Sequence, residues 1–456
     1  MDVESLEKND TIVGLSTAAG SGGIAIVRIS GADAETLFEK VFTPFKQIPP
    51  YESHRLMLGQ LRDGAEPLDE AMGVLMRAPH SYTRENVCEI HTHGGHVVAA
   101  LTIKLLIRLG ARPAEPGEFT RRAFLNGRLD LAQAEAVMGV ISAQSTAALK
   151  AEEAQLAGGQ SLFIKEAQAV LLGLLSGLEA HIDYPDEIDE TEALDGLSHG
   201  LSKLIAKLES AIDERSARMV REGLRVALCG RPNAGKSTLF NALLGEERAI
   251  VTDVPGTTRD VLQGSFTLEG LCVHLFDTAG LRDTGDTVER IGVDRARQAI
   301  SQADIALLLV DASQPLQPEE RELLQSSMPC PCAILLNKED LTPLLTPETI
   351  KKETTLSPVL SISAKTGQGI EGILDYLRLH IQIPQQLLLT HERHMEVARE
   401  ALKHLRQAQG ALSAGQPLDF TAVDLHDALY LLGRITGESV DEKLLDDIFS
   451  RFCVGK

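Results

Sequence analysis

The chain has 456 residues, and 44 basic against 65 acidic side chains give a formal net charge of −21. That balance excludes broad, non-specific coating of nucleic acid, in which Lys and Arg neutralise phosphates, although it allows one local basic patch. At 43% hydrophobic and 24% charged residues, the composition is that of a globular chain of about three domains. No apolar run reaches the ~18 residues of a membrane span, the longest being 169–178, and the acidic start Met1-Asp2-Val3-Glu4 speaks against export. A cytoplasmic protein with no membrane partner is expected. The six cysteines, Cys88, Cys229, Cys272, Cys330, Cys332 and Cys453, form no CxxC pair, which suits a reducing compartment and weighs against structural zinc.

In chain order, residues 11–15 and 24–29 read as strands around the glycine loop Gly20-Ser21-Gly22-Gly23. That loop leads into a strand and not a helix, so it is no dinucleotide fingerprint. His91 and His93 fall on one face of a strand, but no third ligand has compelling spacing, and Gly94-Gly95 reads as a turn. A helix is predicted over 97–110, and the segment is α+β. From 124 to 221 Ala, Leu, Glu and Gln at helical spacing predict antiparallel helices, with one strong break at Tyr184-Pro185. From 224 to 383 short apolar strands alternate with helix formers, predicting a mostly parallel sheet covered on both faces. After Pro384 the helical texture returns. The expected architecture is therefore a multidomain chain: an α+β head (1–122), a discontinuous helical domain (123–222 and 384–456), and an inserted α/β domain (223–383).

The sharpest motif is Gly230-Arg231-Pro232-Asn233-Ala234-Gly235-Lys236-Ser237-Thr238, which matches G-x-x-x-x-G-K-[ST] between a strand and a helix. Its glycines let main-chain N–H groups close on phosphate oxygens, and the helix N-terminus favours an anion. Lys236 reaches the β- and γ-phosphates and Ser237 ligates Mg²⁺. A glycine turn matching by chance is the bland reading, and three downstream elements weaken it. Asp277-Thr278-Ala279-Gly280 ends a strand, where an Asp can hold Mg²⁺ through water and the Gly280 N–H can meet the γ-phosphate. In Asn337-Lys338-Glu339-Asp340, a carboxylate can accept from N1–H and the exocyclic amine of guanine, donors that adenine lacks. Ser363-Ala364-Lys365 offers an N–H to the guanine carbonyl. In order and spacing, 224–383 resembles the Ras-like translation-factor GTPases.

Where a Ras-like switch carries a water-orienting Gln, this chain has Leu281, which has no polar atom. Asn233 and the carbonyls of Thr252-Asp253-Val254-Pro255-Gly256-Thr257-Thr258 can surround a monovalent cation, putting positive charge where an arginine finger acts. Glu289 could orient water through a second water, although by spacing alone an exposed acid at a helix start is the favoured reading.

The whole chain resembles the MnmE (TrmE) family of tRNA modification GTPases. The strings that carry the likeness include Asp10-Thr11-Ile12-Val13, Gly22-Gly23-Ile24-Ala25-Ile26-Val27-Arg28-Ile29-Ser30-Gly31, Pro116-Gly117-Glu118-Phe119-Thr120-Arg121-Arg122-Ala123-Phe124-Leu125-Asn126, Gly256-Thr257-Thr258-Arg259-Asp260 and Phe452-Cys453-Val454-Gly455-Lys456. Val454 stands where the family usually has Ile. The resemblance implies a K⁺-stimulated GTPase that dimerises through the head and the G domains. By the same resemblance it would act with the FAD-carrying protein MnmG (GidA) in a heterotetramer, modifying carbon 5 of the wobble uridine of certain tRNAs. It also implies K⁺ at Asn233, Thr252, Val254 and Thr257, Mg²⁺ at Ser237 and Thr258, and water orientation by Glu289. Lys236 and Gly280 would serve the chemical step. A 5-formyltetrahydrofolate would meet Arg28, Glu85, Arg128 and Lys456. Cys453 reads either as a small residue packed near a helix end or as a thiol near the folate. A ribosome-assembly or regulatory GTPase switch is the alternative function; such proteins usually add a basic RNA-binding domain, which is not the texture here.

Overall fold

The computed structural model describes residues 10–18, 20–46, 48–184, 190–248, 264–277, 300–381, 383 and 388–456. The chain divides into two compact units: Met1–Ile141, Ala154–Glu209 and Glu396–Lys456 form one, Ser142–Glu153 and Ser210–Met395 the other.

The first unit opens with β1 (Ile12–Leu15), β2 (Ile24–Ser30), α1 (Ala34–Val41), β3 (Phe42–Pro44), β4 (Met57–Asp63), β5 (Glu66–Met76), β6 (Val87–His93), α2 (His96–Arg108) and β7 (Arg112–Pro113). The strands make one sheet in the order β3-β4-β5-β6-β2-β1-β7. Side chains alternate across it with period two. Val13, Val27, Ile29, Cys88 and Ile90 go to a core shared with Phe38, Leu105 and Leu106 of the two helices. The intervening residues, Arg28 on β2 and Glu89 and His91 on β6, contact one another instead. Register makes this possible, because antiparallel pairing sets Arg28 opposite Glu89.

Then come α3 (Glu118–Leu125), α4 (Leu131–Ser142), α5 (Thr146–Leu156), α6 (Gly159–Asp183), α7 (Glu190–Ala211) and α8 (Glu214–Glu222), of which α8 and α5 up to Glu153 belong to the second unit. Tyr184 does end a helix, but it is not the one break expected; the chain is also interrupted at 126–130, 143–145 and 157–158. Asn126-Gly127 and Gly158 mark two of these turns, with both glycines at left-handed φ, whereas Ala143-Gln144-Ser145 keeps the composition of its helices.

The helix α6 is, among the described residues, the one long and apolar enough to cross a membrane by length and composition. Scattered charged residues such as Lys165, Glu166 and Glu179 break it into shorter apolar runs, which is why no span is expected from the sequence. It buries Phe163, Ile164, Ala167, Leu171, Leu175 and Leu178 at helical spacing, the pattern of a packing face.

The second unit carries β8 (Leu224–Gly230), α9 (Lys236–Arg248), β9 (Gly264–Leu268), β10 (Leu271–Asp277), β11 (Ile305–Asp311), α10 (Pro318–Gln325), β12 (Cys332–Asn337), α11 (Pro347–Ile350), β13 (Val359–Ser361) and α12 (Ile370–His380). Its sheet runs β13-β12-β11-β8-β10-β9. All neighbours are parallel except the β9–β10 pair. The central strands are apolar on both faces because each face meets its own core, Val226, Leu228, Leu307 and Leu335 on one side, Ala227, Cys229, Leu308 and Ile334 on the other. The unit is wider than the expected 223–383, since α8 inserts Met219 and Val220 into the sheet's core.

The chain returns to the first unit through α13 (Glu392–Ser413), α14 (Leu418–Thr436) and α15 (Glu442–Ser450). Within that unit α14 lies along α6, where His426 meets Glu179 and Gln168 donates to Glu438. Leu445, Ile448, Phe449 and Phe452 close a core with Leu131 and Ala134. The fold is thus an α+β head, a helical domain built from separated chain segments, and an inserted Ras-like α/β domain.

Candidate functional site

At the end of β8 the chain leaves the sheet at Gly230 and re-enters order as α9 at Lys236. Gly235 sits at φ +100, and a Cβ there would lie 2.2 Å from Asn337 Nδ2, so both backbone and space require glycine. Asn337 donates from Nδ2 to the Ala234 carbonyl (2.7 Å) and accepts at Oδ1 from the Ala364 N–H (2.9 Å). One buried amide therefore ties the phosphate loop, the Asn337–Asp340 loop and the Ser363–Lys365 loop together. Ser363 donates to Asp340 Oδ1 at 2.7 Å, orienting the carboxylate. Lys236 donates to the carbonyls of Gly230 (2.7 Å) and Arg231 (2.9 Å). Asn233 holds a left-handed φ of 66° and is exposed, as are Asp340 and Lys365, while Ala234 is buried.

Asp277 ends β10 beside Leu228 of β8. Thr252, Asp253, Val254, Pro255, Gly256, Thr257, Thr258, Thr278, Ala279, Gly280, Leu281 and Glu289 lie outside the described residues.

A second polar cluster forms in the first unit. Arg28 Nε donates to Glu89 (2.9 Å), and its guanidinium lies 5.4 Å from the Tyr82 ring and 5.6 Å from Phe119. Glu89 also meets His91 (3.1 Å). Burial pushes the Glu89 carboxyl up, but the His91 hydrogen bond and the Arg28 charge bring it below its ordinary value. Arg128 lies over the same Tyr82 ring at 4.7 Å and donates to the Tyr82 carbonyl. Glu85 accepts from Ser30 (2.7 Å) and from buried Arg122 (3.3 Å), which also binds Asp10 and Glu118.

The C-terminal tail joins this cluster. Val454 bridges Pro116, Ser16 donates to the Gly455 carbonyl (3.2 Å), and Arg28 reaches the same oxygen at 3.4 Å. Gly455 has φ +97, and a Cβ would fall 2.0 Å from the Leu15 carbonyl. Arg28, Arg128 and the tail that ends in Lys456 thus converge near Tyr82, while Glu85 is reached through Ser30. Cys453 is exposed, so the packed reading of that residue is corrected; Phe452 is the buried neighbour, because the tail's backbone turns between them. His91 and His93 serve different carboxylates, Glu89 and Asp69. No motif spacing marks Tyr82, Glu89 or Arg122 as members of a site; only strand register and folding bring them to the cluster.

A parallel sheet whose glycine loop feeds a helix N-terminus, cross-tied to Asn-Lys-x-Asp and Ser-Ala-Lys loops, defines a P-loop domain of the GTP-binding class. The chain also matches the family described as the MnmE helical domain over residues 131–453 and the GTP-binding protein TrmE N-terminus over 11–128. A tRNA modification GTPase MnmE of Symbiobacterium thermophilum is 44% identical over 455 residues, covering 98% of this chain and 99% of the relative. That of Heliobacterium modesticaldum is 42% identical over 463 residues, with 98% and 99% covered. Among solved structures, the G domain of the T. maritima FeoB iron transporter is 26% identical, covering 35% of this chain and 99% of that one, with a TM-score of 0.27. The chain belongs to the MnmE (TrmE) family of tRNA modification GTPases.

Proposed function

We propose that this GTPase, as a homodimer joined to an FAD-carrying partner of the MnmG (GidA) type, drives addition of a carboxymethylaminomethyl-type group to carbon 5 of the wobble uridine of certain tRNAs. The observation that supports this reading is near-complete coverage by relatives named tRNA modification GTPase, extending over head, helical and nucleotide-binding parts alike.

In the nucleotide site, main-chain N–H groups of 234–238 bind phosphate oxygens and Lys236 exchanges its two carbonyl acceptors for the β- and γ-phosphates. Asp340, preset by Ser363, reads guanine. The Ser237 hydroxyl at the start of α9 fits a Mg²⁺ ligand, with Thr258 as the second. Asn233, turned outward by its left-handed backbone, fits a K⁺ ligand together with Thr252, Val254 and Thr257. Bound K⁺ would supply the positive charge that a finger supplies elsewhere. Glu289 orients the water that Leu281 cannot, and the Gly280 N–H meets the γ-phosphate.

In the head, Arg28, Glu85, Arg128 and Lys456 would hold 5-formyltetrahydrofolate. The donor set fits: exposed Arg128 stacked on Tyr82 offers a cation beside an aromatic face, and Glu85 keeps an acceptor for ring N–H groups. When bound, the folate supplies a reduced one-carbon carrier. Arg28 also fixes the tail, donating from Nε to Glu89 and from Nη1 to the Gly455 carbonyl.

The test is nucleoside analysis of tRNA from cells lacking the protein, complemented by wild type or Lys236→Ala. The wobble-uridine modification should be lost and return only with wild type; an unchanged nucleoside profile overturns the reading. Hydrolysis by the wild-type protein should also be faster in K⁺ than in Na⁺, and equal rates would remove the cation from the mechanism.

A further inference from the structure

We propose that Asp311, which lies in none of the nucleotide motifs, is a positioning residue for the guanine base, acting through Lys338. Asp311 is the last residue of β11 and pairs with Asn337, the last residue of β12. The two strand ends therefore place its carboxylate beside the residue that comes after Asn337.

The carboxylate divides its work. Oδ1 accepts from the N–H (3.0 Å) and hydroxyl (2.6 Å) of Ser313, fixing the turn after β11. Oδ2 accepts from Lys338 Nζ at 2.5 Å. Burial pushes the Asp311 carboxyl up, but hydrogen bonds from Lys338 and Ser313 bring it below its usual range, so it is charged at neutral pH.

Lys338 is a demanding residue to hold. Its backbone is left-handed at φ 71, a strained region for a residue with a Cβ. The neighbouring Ala312 N–H donates to the Asn337 carbonyl and the Glu339 N–H to the Ile362 carbonyl, so the backbone on either side is pinned. Free in solvent, the Lys side chain would sample many rotamers and lose them on binding. Anchored on Asp311, its four-carbon stem is held before nucleotide arrives, in the short loop that carries Asn337, which ties the phosphate loop, and Asp340. A planar base held by Asp340 then meets a preset apolar wall.

This rests on Asp340 as the base acceptor, and the experiment separates the two ideas. Release of a fluorescent GDP from the full-length protein is timed for Asp311→Asn, Lys338→Met and the double variant. The Asn carbonyl keeps an acceptor for Ser313, and thermal unfolding checks that the fold survives. Each single variant should release GDP about threefold to tenfold faster. The double variant should release it no faster than Lys338→Met alone, because Asp311 has nothing left to act through. Effects that multiply overturn the proposal, since they show Asp311 acting on the loop and not through Lys338; so does unchanged release in Asp311→Asn. Separately, Asp340→Asn should shift preference from guanine to xanthine diphosphate. If it does not, the reading of Asp340 fails, and the base-positioning role of Asp311 with it.

Discussion

Around the nucleotide loop, Lys236 is held by main-chain carbonyls six and five residues before it. In the head, Arg28 is held by Glu89 and by a carbonyl 427 positions away, and Arg122 binds Asp10, 112 positions away. The first arrangement is local: a glycine turn and a helix start prepare the groups within a single short loop. The second is assembled from both ends of the chain and from the strands between, with charge balanced by charge in a half-buried setting. A loop site is free to exchange its internal partners for phosphate. The head cluster is a scaffold whose members hold one another.

The largest effect that sharpens this contrast is expected at Arg122. Replacing it by Met leaves Glu85 without its buried cation and Asp10 and Glu118 with Arg112 alone, at a cost of about 3–5 kcal/mol in unfolding free energy. Denaturant unfolding measures it; a loss below about 1 kcal/mol would make the network ornamental.

Next come two glycines at positive φ, one from each region. Gly235→Ala should weaken GDP binding on the order of tenfold to a hundredfold, read by titration, because strain and the Asn337 contact distort the loop. Gly455→Ala should leave GDP binding unchanged and free the tail to carboxypeptidase. Tail release that also abolished nucleotide binding would show that the two regions are not independent.

Acid should act on the head in a particular direction. Asp10, Glu89 and Glu118 have carboxyls below their ordinary values: burial raises each, and Arg and His partners more than offset it. Groups with depressed folded-state values contribute fully above the unfolded value and lose that contribution as pH falls through the folded one. Hydrogen-exchange protection of β1 and β2 should therefore decline as pH drops below about 4.5. Constant protection down to about pH 3 would contradict the ion network's role.

The smallest structural effect is expected from Cys453→Ser. The side chain is exposed, so the melting temperature should barely move. Wobble-uridine modification should fall while the GTPase rate holds; parallel loss of both would make the tail a structural element only.

Much of the nucleotide side could be read from residues in a row. The strand before Gly230, the helix after Lys236 and the parallel sheet come from apolar runs, glycine placement and motif spacing, because each group sits close in sequence to those it works with. Asp311 escapes that reading, as its partner Lys338 is 27 positions on and only the β11–β12 register aligns them.

By itself, the sequence determined the class of protein: a P-loop followed by the Asn-Lys-x-Asp and Ser-Ala-Lys strings of a GTPase, and head and tail strings shared with one family. Tertiary structure decided how the head cluster is built. Antiparallel register set Arg28 against Glu89, the turn before β6 delivered Tyr82 and Glu85, and a glycine able to lie against Leu15 let the last residues dock. Those pairings depend on strand register and chain return, which residue identity along a single chain does not encode locally.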